Sequence, residues 1–139
     1  MAESFEVVSK NLQATPKSWL VTGVAGFIGS HLLERLLSLD QKVVGVDNFA
    51  TGFEHNLNKV KDIVGQKRWS NFKFYQGSVE DLSICKKALE KIDYVLHQAA
   101  LGSVPRSVEN PLASHQANVN GFVNLIETAR LANVKRFVS

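Results

Sequence analysis

The 139-residue chain has a single cysteine, Cys85, so no disulfide can form within it. Between Ile84 and Lys86 on a helical stretch, that thiol reads as a small packed hydrophobe. Every apolar run falls far short of the roughly 20 residues that a membrane-spanning helix requires. The opening Met1-Ala2-Glu3-Ser4-Phe5-Glu6 has neither the basic flank nor the apolar core of a signal peptide. These absences predict a soluble, cytoplasmic protein with no membrane partner. The four histidines, His31, His55, His97 and His115, show no ligand spacing with one another or with Cys85, so no metal site is expected. Positive charge is not concentrated either. Sixteen Lys and Arg against thirteen Asp and Glu leave a net +3, and the lysines from Lys59 to Lys91 are interrupted by Asp62, Glu80, Asp81 and Glu90. Nucleic-acid surfaces gather such charge on one face, often with aromatic stacking platforms. Here it reads as solvated helix faces, and no nucleic-acid partner is expected.

What is present is one domain's worth of chain with 45% hydrophobic residues, enough for a globular core. Residues Ser4 to Gln13 form a short helix candidate with Phe5, Val8 and Leu12 on one side, which Pro16 ends, so residues 1–16 read as a helical appendage. From Lys17 onward strand and helix alternate. The expected elements are strand 17–22, helix 27–39, strand 42–47, helix near 54–65, strand 72–77, helix 82–90, strand 93–98, helix about 113–132, and a strand from 136. Such alternation implies parallel strands joined by right-handed crossovers, an α/β doubly wound sheet of order 3-2-1-4-5. Val43-Val44-Gly45-Val46 and Tyr94-Val95-Leu96 are apolar without alternation, as a sheet covered on both faces requires.

The most informative segment is Trp19-Leu20-Val21-Thr22-Gly23-Val24-Ala25-Gly26-Phe27-Ile28-Gly29-Ser30, a strand that breaks into three glycines and turns helical. A turn of this kind aims backbone N–H groups and the positive end of a helix dipole at one spot, where a pyrophosphate can sit without a basic side chain. Gly23 turns the chain sharply, Gly26 lacks the Cβ that would block a phosphate, and Gly29 allows the helix to pack closely. The second strand ends in Asp47, 18 residues beyond Gly29, where a carboxylate suits the paired hydroxyls of an adenosine ribose and repels a 2′-phosphate. The cofactor expected from this pair of features is NAD rather than NADP.

The glycine spacing, with Thr22 before it and Phe27-Ile28-Gly29-Ser30 within it, resembles that of the extended short-chain dehydrogenase/reductase family. Further matches are Val46-Asp47-Asn48 with Thr51-Gly52, Gly77, His97-Gln98-Ala99-Ala100, and Asn118-Val119-Asn120-Gly121. The run from Ala99 to Ser107, with Asp47 to Gly52, is similar to the UDP-N-acetylglucosamine 4-epimerase group of nucleotide-sugar epimerases. The resemblance implies a Rossmann fold and an NAD site built from Gly23, Ala25, Gly26, Phe27, Ile28, Gly29, Asp47, Asn48, Phe49, Ala50, Thr51, Gly52, Gly77, Ser78, Val79, Gln98, Ala99, Ala100 and Asn118. It also implies a UDP-sugar contact at Gly102 and Ser103, and a homodimeric full-length protein. Ser78 departs from the family pattern, in which an aspartate follows the glycine, so an adenine contact there is weaker, water-mediated or made by Glu80 or Asp81. His97 reads as a structural histidine hydrogen-bonded beneath the site.

The family's chemistry requires a Tyr followed four residues later by Lys. Tyr75 is followed at that distance by Val79 and Tyr94 by Gln98, so neither fits and no catalytic residue is expected among these 139. The chain is expected to be the N-terminal part of a longer enzyme, cut after the start of its fifth strand and inactive alone. Other enzymes of the family (uronate 4-epimerases, nucleotide-sugar decarboxylases, 4,6-dehydratases) and a free-standing NAD-binding module remain alternatives at this point.

Overall fold

Leu20 and Val21 are neighbours in sequence, fully buried, and members of different hydrophobic clusters. Successive strand residues face opposite sides of a sheet, so the strand that carries them is covered on both faces. The computed structural model describes residues 5–98 and 111–138. Its elements, in chain order, are α1 (Phe5–Ala14), β1 (Ser18–Thr22), α2 (Phe27–Ser38), β2 (Lys42–Asp47), α3 (Glu54–Val64), α4 (Gln66–Trp69), β3 (Phe72–Gln76), α5 (Leu82–Ala88), β4 (Tyr94–His97), α6 (Pro111–Leu131) and β5 (Arg136–Val138). The five strands form one parallel sheet in the order β3-β2-β1-β4-β5. This is the doubly wound α/β architecture that the alternation predicts, with β1 at the centre and the crossover direction reversing beside it.

The two clusters fill the two faces. On one, Leu20, Val46 and Val95 pack with Cys85, Leu89 and Leu125 from α5, the turn after it and α6. On the other, Val21, Val24 and Val43 pack with Leu33, Leu37, Leu57 and Val60 from α2 and α3. Each side chain of this size contributes about 1.5–3 kcal/mol when fully buried, so the sheet and its helices form a single cooperative support for the strand ends.

Two details differ from the sequence expectation. The helix near 54–65 ends at Val64, where Gly65 takes φ +85°, and a separate turn of helix, α4, follows. The N-terminal helical segment carries a fastening that the sequence does not show. Gln41 is completely buried, and its Nε2 donates to the carbonyls of Leu12 (2.9 Å) and Leu39 (2.8 Å) while its Oε1 accepts from Lys17 N and Trp19 Nε1, both at 3.0 Å. One carboxamide thereby joins the end of α1, the start of β1 and the turn into β2, with all its hydrogen-bonding capacity used.

Candidate functional site

The carboxyl ends of β1, β2, β3 and β4 converge, and the ladder continues past them. Gly23 N donates to Val46 O at 2.8 Å, Gly77 N to Asp47 O at 3.0 Å, and Gln98 N to Thr22 O at 3.1 Å. In open α/β sheets this is the edge at which ligands collect. Gly23 leaves β1 with φ +66°, a conformation disfavoured for other residues, and turns the chain toward α2. A Cβ at Gly29 would lie 2.1 Å from the Gly23 carbonyl oxygen. The close approach that requires glycine there is of the helix to the turn itself, rather than to the strands behind it.

The amides within the turn are engaged internally. Gly23 and Val24 donate to Val46 O (2.8 and 3.4 Å), Gly26 donates to Gly23 O (3.0 Å), and Ala25 donates to Asp47 Oδ2 (2.8 Å). Phe27, Ile28 and Gly29 form the first turn of α2, whose cap, Gly26, has no side chain to offer them. Among the described residues none accepts from these three amides, whereas Ser30 N already reaches Gly26 O at 2.9 Å. Three unpaired N–H groups at the positive end of a 12-residue helix make a place for an anion. The sequence points to this turn but does not show which of its amides are left without a partner.

Asp47 is buried at the end of β2. Besides Ala25 N, it accepts from Phe49 N at 2.7 Å through Oδ1. A carboxylate has about four acceptor positions, so each oxygen retains one for a hydroxyl of a bound molecule. Asp47 therefore shapes the loop as well as facing the crevice, a role invisible in the sequence.

The loop from Asn48 to Gly52 folds directly onto the turn. Asn48 Oδ1 accepts from Ala50 N at 3.0 Å, Phe49 takes φ +59° with its ring 5.6 Å from that of Phe74, and a Cβ on Gly52 would lie 2.8 Å from the Ala25 carbonyl carbon. Thr51 is exposed at its tip. The Ala25 carbonyl accepts from Phe53 N at 3.1 Å and from Asn56 Nδ2 at 2.7 Å. Asn56 was not expected at the site, because its partner lies 31 residues away and no local pattern marks it.

Across the crevice, Ser78 Oγ accepts from Glu80 N at 3.1 Å, and Asp81 caps α5 by accepting from the amide and hydroxyl of Ser83. Those Ser83 hydrogen bonds hold the Asp81 carboxyl below its ordinary range. Val79 O receives Cys85 Sγ at 3.2 Å, and Asn124 Nδ2 donates to Glu80 O at 2.9 Å, so α5 and α6 both grip this loop. Burial, with the Asp81 charge adding to it, pushes the Cys85 thiol up to about 11. Among the residues sought from the sequence, Gly77, Ser78, Val79 and Gln98 thus gather at the same edge as Asp47. Asn118 lies on α6, and Ala99, Ala100, Gly102 and Ser103 fall outside the described residues.

Beneath the edge, the Thr22 hydroxyl accepts from Gln98 N at 3.0 Å and lies 2.6 Å from His97 Nδ1. The His97 ring packs beside Phe122 and Phe137, with centroids 6.2 and 6.0 Å away. Burial lowers its pKa and favours the neutral ring. Among the described residues no group of three or more His, Cys, Asp or Glu is arranged to hold a metal, and no helix is long and apolar enough to cross a membrane.

Residues 19–139 match the NAD dependent epimerase/dehydratase family. The chain belongs to that family. It is 42% identical over 123 residues to a UDP-glucose 4-epimerase of Yersinia enterocolitica, covering 87% of this chain and 35% of that protein. A UDP-N-acetylglucosamine 4-epimerase from Methanobrevibacter ruminantium, solved with UDP-N-acetylmuramic acid, is 35% identical over 88% of this chain and 36% of its own, with a TM-score of 0.74. The UDP-glucose 4-epimerase of Bifidobacterium longum, solved with NAD+ and UDP, is 33% identical over 86% of this chain and 35% of its own, with a TM-score of 0.76. The chain thus spans about a third of the length of these relatives. Family and fold together make NAD the cofactor, and the free first-turn amides of α2 beside an underused buried carboxylate are chemically suited to its pyrophosphate and ribose.

Proposed function

We propose that residues 17–139 are the NAD-holding part of a nucleotide-sugar 4-epimerase that interconverts UDP-N-acetylglucosamine and UDP-N-acetylgalactosamine, or the corresponding uronic acids. The observation that carries this reading is the set of unpaired amides at Phe27, Ile28 and Gly29 next to the buried Asp47 carboxylate. In it the amides bind the pyrophosphate, and Gly26 keeps their approach open. The free acceptor positions of Asp47 take the adenosine ribose hydroxyls, and its charge turns away a 2′-phosphate. Asn48 to Gly52 close over the ribose and phosphates, while Gly77 to Val79 border the adenine. Ser78 contributes only a hydroxyl there, and that hydroxyl already accepts from Glu80 N.

Bound NAD would supply the reversible hydride acceptor that inversion at the sugar C4 requires. The chain's own residues orient that exchange. In this reading Gln98, Ala99 and Ala100 border the nicotinamide end, the small side chains of Ala99 and Ala100 allowing close approach, and Asn118 is assigned to the cofactor side of the site. Thr22 and His97 brace the strand ends below. Gly102 and Ser103 offer a hydroxyl and room for an N-acetyl group. A Tyr-x-x-x-Lys does not occur in these 139 residues, so proton transfer at the sugar belongs to residues outside them. We read the intact enzyme as a cytoplasmic homodimer, with residues 1–16 a helical appendage.

UDP-glucuronate 4-epimerases are also among the relatives, which favours a uronate substrate as the second reading. Expression of the longest open reading frame containing residues 1–139, assayed with UDP-GlcNAc, UDP-glucose and UDP-glucuronate, tests both. Turnover of UDP-GlcNAc to UDP-GalNAc supports the first reading. Turnover restricted to UDP-glucuronate supports the second, and turnover of UDP-glucose alone contradicts both.

A further inference from the structure

The two peptide groups that flank the Ala25 Cα are both held. The Val24–Ala25 peptide donates through Ala25 N to Asp47 Oδ2 at 2.8 Å. The Ala25–Gly26 peptide accepts through the Ala25 carbonyl oxygen from Asn56 Nδ2 at 2.7 Å and from Phe53 N at 3.1 Å, and donates through Gly26 N to Gly23 O at 3.0 Å. This second peptide leads directly into α2, which Gly26 caps. The orientation of the Ala25–Gly26 peptide plane therefore sets where the helix begins and where the amides of Phe27, Ile28 and Gly29 point. Asn56 sits on α3, an element anchored in the core by Leu57 and Val60 at 5% and 3% exposure. Its amide is thus a fixed donor mounted on a rigid helix, unlike the loop amide of Phe53 that shares the same acceptor.

We infer that Asn56 is a positioning residue for the dinucleotide: by holding the Ala25 carbonyl it aims the three free amides of α2 at the pyrophosphate, although it touches no part of the cofactor. The inference rests on the reading that those amides bind the pyrophosphate. Preorganised donors bind an anion more tightly than donors that must be ordered on binding, so loss of the Asn56 clamp falls on phosphate-bearing ligands. Loss of one hydrogen bond of ordinary strength corresponds to roughly fivefold in affinity. Asn56→Asp replaces the donor by an acceptor of the same shape facing a carbonyl oxygen, and its effect exceeds that of Asn56→Ala.

The test compares NAD, ADP and adenosine binding to the wild-type chain, Asn56→Ala and Asn56→Asp, by nitrogen-15 amide-shift titration. The expected result is a loss of about fivefold or more for NAD and ADP in both variants, with adenosine affinity unchanged. Undiminished NAD affinity in both variants overturns the role of Asn56 while leaving the site assignment standing. An equal loss for adenosine shows that Asn56 merely orders the loop, which also overturns it. If the wild-type chain binds NAD without perturbing the Phe27, Ile28 and Gly29 amides, the underlying reading fails first. Should either variant lose its native amide spectrum, the comparison of NAD with adenosine in the other decides the matter.

Discussion

Gly26 and Gly29 are three residues apart in one turn, yet alanine at each has a different expected consequence. At Gly29 the added Cβ would lie 2.1 Å from Gly23 O, 2.8 Å from its carbonyl carbon and 2.9 Å from Val24 Cα. All three are backbone atoms, so no side chain can swing aside, and α2 must retreat by roughly 1 Å to reach a tolerable contact. Overpacking of this kind costs typically about 1–3 kcal/mol, and the upper end is expected here. At Gly26 the nearest atom to a Cβ is Gly23 O at 3.2 Å, and the backbone, φ −77° and ψ 175°, suits any residue. Gly26→Ala should therefore change stability by less than about 1 kcal/mol, since a few tenths of an ångström of adjustment suffices. Its methyl group, however, stands at the approach to the Phe27, Ile28 and Gly29 amides. Losing even two charge-assisted hydrogen bonds there costs about 3 kcal/mol, or roughly a hundredfold in NAD affinity. Urea unfolding followed through Trp19 and Trp69, together with calorimetric NAD titration, separates the two effects. A folded Gly26→Ala protein with native NAD affinity would refute the phosphate-turn assignment. A Gly29→Ala protein as stable as the wild type would refute the packing argument.

Asp47→Ala should weaken NAD more than NADP and also lower stability by about 1–3 kcal/mol, because it leaves the Ala25 and Phe49 amides unpaired. Equal losses for the two cofactors would place Asp47 away from the ribose. Gln41→Ala should cost about 3 kcal/mol by orphaning partners on three elements, with faster hydrogen exchange in α1; unchanged denaturation would contradict the clamp. The Cys85 thiol, pushed up to about 11, should resist alkylation at pH 8 in the native protein and react readily in urea. His97 has a folded pKa below the ordinary 6.5, so the unfolded state binds more protons between the folded value and 6.5. Stability should therefore fall as pH drops below 6.5, and His97→Leu should flatten that part of the melting-temperature profile.

The strand order and the glycine turn of the candidate site were legible because they rest on local signals. Apolar runs without alternation marked β2 and β4 as doubly covered, and the glycines at 23, 26 and 29 marked the turn from β1 into α2. What escaped was long-range. Gln41 stands beside a loop in sequence, and nothing near it reveals that it reaches back 29 residues to Leu12. Asn56 resembles any polar residue on an amphipathic helix until Ala25 is placed against it. The short α4 escaped because four residues are too few to show a helical period. Asp47 was found by its spacing, but its grip on Ala25 and Phe49 depends on how the turn and the loop pack together.

The most direct measurement of the central claim is an amide-by-amide NAD titration of the nitrogen-15-labelled wild-type chain. The largest shifts should occur at Phe27, Ile28 and Gly29, with a second group from Asp47 to Gly52, and NADP should bind more weakly with the same pattern. Shifts centred instead on the groove between α5 and α6, around Leu82, Val123 and Leu131, would contradict the account.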